Sequence, residues 1–155
     1  MAKYACLDNN GVIQNVIVSD EKPSLPEYAQ ILDWEEGMDI NKKKIDGEWI
    51  DQTMILYVDL DKAQVPPNET VIATATVSNR DRSLTHDVNG TYYVPVIRQS
   101  DGKQEAFLTV EFTHGQATAQ FSLSEPGSYT VDLTKVDPKP QSKLAASPKL
   151  IVKEN

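Results

Sequence analysis

Two histidines, one cysteine and two short acidic clusters are the residues of this 155-residue chain whose types could do chemistry. Acyl transfer by a covalent route needs a Ser or Cys beside a base that a third group orients. His86 and His114 stand at no recognisable spacing from such partners, and both fall in polar, glycine-bearing segments, so they read as exposed turn residues. Asp59-Leu60-Asp61 and Asp33-Trp34-Glu35-Glu36 could offer oxygens to calcium, but neither carries the mid-loop glycine and closing glutamate of an EF-hand loop. Asp59 to Lys62 reads instead as the polar end of a strand. Cys6, the single cysteine, can form neither an intrachain disulfide nor a thiolate cluster; in the alternating run Tyr4 to Asp8 it reads as a small buried hydrophobe. There is no glycine-rich phosphate loop, no His-Glu-x-x-His helix and no paired-cysteine motif. The expectation is a protein that is not an enzyme, with no catalytic residues, no cofactor and no metal.

Binding is the remaining kind of chemistry. A net charge of -8 and a pI near 4.7 repel phosphate backbones and anionic headgroups, so neither nucleic acid nor membrane insertion is expected. The basic run Lys42-Lys43-Lys44 is flanked by acidic residues and reads as a strand whose lysines guard an edge. Tyr92 and Tyr93 are neighbours in a predicted strand, so one must face the core and the other solvent. The long polar connection from Ser78 to Gly90, with Arg80, Arg82 and His86, is a candidate recognition loop. The triplets Asn68-Glu69-Thr70 and Asn89-Gly90-Thr91 read as turn chemistry. No charged segment followed by an apolar one opens the chain, and no apolar run approaches the roughly 18–20 residues that span a bilayer.

The elements that must position these residues are strands. Apolar residues recur at spacing two in short runs separated by Gly, Pro, Asn and Asp, which predicts an all-β protein. Asn10-Gly11 between two β-prone runs predicts one hairpin, and Asp46-Gly47 predicts a second. Residues 1–52 thus form a small β-hairpin unit with Trp34 and Trp49 supplying its core, and a short helical turn is expected from Ser24 to Ala29. Such a small unit is marginal alone, and the run Val12, Val16, Val18 offers an edge for docking or oligomerisation. Over residues 54–155, about seven strands with turn signals every 8–12 residues predict an immunoglobulin-like β-sandwich. In it Gly127 to Leu133 is the penultimate long strand, with Val131 and Leu133 on the core side and Tyr129 folding over the end of the core to bond a backbone group upstream.

The motifs Lys3-Tyr4-Ala5, Asn10-Gly11-Val12-Ile13-Gln14-Asn15-Val16-Ile17, Pro26, Gly37-Met38-Asp39-Ile40 and Ile45-Asp46-Gly47-Glu48-Trp49 resemble a small module of structural and tail-associated proteins of tailed bacteriophages. The remainder is similar to the immunoglobulin-like domains that such phages append to capsid, tail and fibre proteins. The resemblance implies a virion accessory protein, a capsid-decoration or tail component, assembled in the host cytoplasm in many copies against other virion proteins. It transfers no catalytic residue. An adhesin-like module binding carbohydrate or a host receptor, with weak attachment to host-surface glycans, is the alternative.

Overall fold

Alternation at spacing two yields strands almost throughout. The structure, a computed structural model, describes residues 1–154 and divides into two compact units, Met1–Thr53 and the chain from Met54 onward. It is all-β.

In the first unit, β1 (Ala2–Leu7) lies at the centre of an antiparallel sheet, with β2 (Ile13–Ser19) on one side and β3 (Gln30–Asp33) on the other. That central position leaves Ala5 and Cys6 with no exposed surface. The connection from β1 to β2 is longer than a two-residue turn. Asp8 organises it, its Oδ1 accepting from the Asn10 N–H at 2.8 Å and the Val12 N–H at 3.0 Å, and the register shifts between Cys6 and Leu7. The second hairpin pairs β4 (Lys42–Ile45) with β5 (Glu48–Asp51) through Asp46 and Gly47, at φ 51° and 85°. Positive φ at both central residues is what a twisted two-residue hairpin demands.

Two expectations fail in this unit, and it holds one strand that the alternation does not predict. β3 was not foreseen, because four residues that add to the far side of β1 carry too short a pattern to read. Residues 24–29 make a single turn, with the Tyr28 N–H on the Leu25 carbonyl at 3.2 Å, and no helix. Pro23 and Pro26 remove donors and bias the residues before them away from helical angles. Trp34 is not a core residue. It is 40% exposed, past the last ladder pair of β3, with the Lys3 ammonium 5.1 Å from its ring centroid. The core is built from Ala5, Leu7, Ile13 and Met38, against which Val16, Leu32 and the half-buried Trp49 pack.

The second unit contains two sheets. Its strands are β6 (Ile55–Leu60), β7 (Gln64–Val65), β8 (Val71–Ser78), β9 (Gly90–Arg98), β10 (Gln104–Phe112), β11 (Gln116–Phe121), β12 (Gly127–Val131), β13 (Lys143–Leu144) and β14 (Lys149–Val152). One sheet has the order β10-β9-β12-β14-β7 and the other β11-β8-β6-β13. The seven longer strands lie where the alternation predicts them. The two-residue β7 and β13 pair parallel to β14 and β6 and leave no periodic signal.

Buried residues follow the alternation, as in Val71, Ala73, Ala75 and Val77 of β8 and Leu108, Val110 and Phe112 of β10. One cluster draws on both sheets, which gives the unit its β-sandwich-like character. Leu133 departs from the expected strand. It opens a 3-10 turn, Leu133–Lys135, which Asp132 caps by accepting from the Thr134 N–H. Its own N–H goes to the Ser147 hydroxyl at 3.0 Å instead of to a ladder, yet its side chain stays fully buried.

Candidate functional site

The predicted recognition loop is held down. The Arg82 guanidinium meets the Asp59 carboxylate at 2.8 and 3.3 Å and lies 3.9 Å from the centroid of the Tyr57 ring. The Asp59 hydrogen bond raises the Arg82 pKa further, so the charge is permanent. Buried Asn79 anchors the interior of the loop: its backbone N–H donates to the Leu84 carbonyl and its Oδ1 accepts from the Leu84 N–H. Asp81 accepts from the Ser83 hydroxyl and N–H, and these bonds hold its carboxyl below the usual range. The Arg80 carbonyl accepts from the Tyr57 hydroxyl at 3.2 Å, and the His86 N–H returns to the Val77 carbonyl. Arg82 is thus a structural clamp, and of the three candidates Arg80 alone has an exposed side chain with no partner among the described residues.

His114 Nδ1 lies 3.0 Å from Asp87, whose carboxyl is held low first by that bond and then by Asn89, but the two side chains are 80% and 72% exposed. A base earns its power where water is excluded. Among the described residues, no group of three or more His, Cys, Asp or Glu is placed to hold a metal ion. Three carboxylates of the two acidic clusters are already engaged: Asp59 by Arg82, Asp61 by the Ile72 N–H at 2.8 Å, and Glu35 by Lys44 and the Trp49 Nε1 at 2.9 Å each. Burial pushes the Cys6 thiol pKa up and so keeps it an unreactive neutral thiol. No helix among the described residues is long and apolar enough to cross a membrane.

Tyr129 is buried, and its hydroxyl donates to the Glu125 carbonyl at 2.7 Å. The Glu125 carboxylate in turn contacts Arg98, which also reaches Glu105 at 2.7 Å. Val131 and Leu133 lie in the same core.

The predicted docking edge, with Val12, Val16 and Val18, lies along β2, an end strand of its sheet, with Val12 just before the strand begins. Val12 is partly occupied within the unit, bridging to Lys43 while the Asn41 N–H takes the Ile13 carbonyl at 2.8 Å. The hairpin lysines are therefore less free than expected; Lys44 also pairs with Glu35. Farther along, the Val16 N–H is taken up by Asn15 Oδ1 at 2.9 Å and Val18 is 55% exposed. Apart from that Val16 N–H, the stretch from Val16 to Ser19 is the open part of the edge among the described residues.

The sequence reading missed a cleft on the outer face of the five-stranded sheet. Tyr93 on β9 and Phe107 on β10 are 45% and 56% exposed, and their rings meet edge to face with centroids 6.0 Å apart. Tyr92, its neighbour, turns inward onto Phe112. The signal lay in Ala106-Phe107-Leu108, where two large apolar residues in succession must point to opposite faces. No family model matches the chain, and no curated protein matches it either.

Proposed function

We propose that this chain is a non-enzymatic structural protein of a tailed-phage virion, a capsid-decoration or tail accessory subunit. Residues 1–53 dock it on the particle, and the immunoglobulin-like sandwich from residue 54 onward is displayed. The observation that carries the reading is the open Val16 to Ser19 edge of β2 on a small unit whose buried hydrophobics, among the described residues, are Tyr4, Ala5, Cys6, Leu7, Ile13 and Met38. A sheet with so little of its own core gains most by adding a strand from a neighbour. The motifs of residues 3–49 point the same way. For the sandwich, the support is the strand order together with Tyr129, which bonds the carbonyl four residues upstream as a tyrosine corner does.

The test is fractionation. Particles purified from an infected culture should contain the chain, by quantitative mass spectrometry, in many copies at a fixed ratio to a capsid or tail subunit. A chain that stays wholly in the particle-free fraction contradicts the reading.

A further inference from the structure

We propose that the cleft formed by Tyr93, Pro95, Gln104, Phe107, Lys135 and Asp137 is a carbohydrate-binding subsite that takes a neutral hexopyranose unit of a glycan. It lies in the second unit and its argument does not depend on where the chain is assembled.

The floor is Pro95, which sits opposite Phe107 across the β9–β10 pair. Along its other side runs the segment after β12, locked to β9 by two backbone hydrogen bonds, the Tyr93 N–H to the Asp137 carbonyl at 2.7 Å and the Asp137 N–H to the Tyr93 carbonyl at 2.9 Å. Both walls are therefore fixed before any ligand arrives, which spares the ordering cost of binding. Two large rings left open to water on a strand face are the feature that calls for a partner. Their electron-rich faces attract the polarised C–H groups that cover one side of a pyranose ring.

Polar tips complete the site. Gln104, Lys135 and Asp137 bring an amide, an ammonium and a carboxylate to the rim, and among the described residues none of these side chains has a hydrogen-bond or ion-pair partner within the chain. Together they supply the donors and acceptors that sugar hydroxyls require. The opposite charges of Lys135 and Asp137 favour a ligand without net charge. With a volume of about 310 Å³ the cleft lies at the small end of the range for small-molecule sites. A protein partner needs roughly 20–30 residues on each side and is poorly served by a feature lined by these six.

The experiment uses the full-length chain, ¹⁵N-labelled, titrated with linear hexasaccharides of glucose, of galactose and of N-acetylglucosamine, beside a glycan array. At least one glycan should shift the amide signals of Tyr93, Phe107 and Asp137, and Tyr93→Ala and Phe107→Ala should each weaken it tenfold or more. Ile151→Ala, on another strand of the same sheet, should leave affinity unchanged. The wild-type shift map needs no variant to fold, and circular dichroism checks each variant. An array with no binder, shifts confined to other residues, or binding that survives the double Tyr93→Ala, Phe107→Ala variant would overturn the proposal. So would a proline-rich decapeptide that fills the cleft while every glycan fails.

Discussion

Gly115 shows how one residue holds several segments together. It has φ 79°, its N–H goes to the Val88 carbonyl and its carbonyl accepts from the Val77 N–H, while a Cβ built there would lie 2.0 Å from the His86 carbonyl oxygen. Gly115→Ala must therefore distort backbone as well as adopt a left-handed angle. It should destabilise the second unit by about 3 kcal/mol or more, read by urea denaturation. Glu35 governs a different dependence. Its carboxyl is held below the usual range first by the Lys44 hydrogen bond and then by Trp49. A depressed folded-state pKa contributes stability that is present above the ordinary glutamate value and is lost as pH falls through the lower folded value. Unfolding of the wild type, followed by tryptophan fluorescence between pH 6 and 3, should show this acid loss, and Glu35→Gln should be less stable at pH 6 with a flatter profile. Both residues are legible only in part: a glycine after His114 announces a turn, but nothing in the sequence reveals the His86 carbonyl beside it.

Strands were legible where their pattern is long. β8 alternates over Val71, Ala73, Ala75 and Val77, and both its existence and its buried face could be read in advance. β3, β7 and β13 could not, since two to four residues carry no period and their pairing is decided by what lies beside them in space. The same limit explains Trp34, whose exposure depends on where the β1 ladder stops, and the Tyr93–Phe107 cleft, which joins two strands and a later segment. Arg82 illustrates the converse: its polar loop was recognisable, but its partner Asp59 lies far off in sequence. At the open edge, alternate residues of β2 direct their backbone groups outward, and Val16 and Val18 fall on the same outward set. The full-length chain should accordingly show concentration-dependent association in sedimentation velocity. Val18→Lys should return it to monomer, because a lysine on an edge strand opposes pairing, while changing stability by less than about 0.5 kcal/mol at so exposed a site.

At the level of the molecule, the two units differ in how much each can support itself. The cluster of the second unit gathers buried residues from both sheets, whereas the first unit buries far fewer hydrophobics among the described residues, Tyr4 to Leu7, Ile13 and Met38. A fragment of residues 54–155 should fold cooperatively, with a single far-ultraviolet transition and no tryptophan signal, since both tryptophans precede residue 50. The division of labour proposed for the chain, attachment by the first unit and display by the second, is tested most directly by an electron cryomicroscopy map of the native particle at side-chain resolution. The account predicts symmetry-related copies in which residues 16–19 contribute a strand edge to a neighbouring subunit and the sandwich stands clear of the particle surface. A map in which the chain is missing, or in which the sandwich makes the attachment and the β2 edge faces solvent, would contradict it.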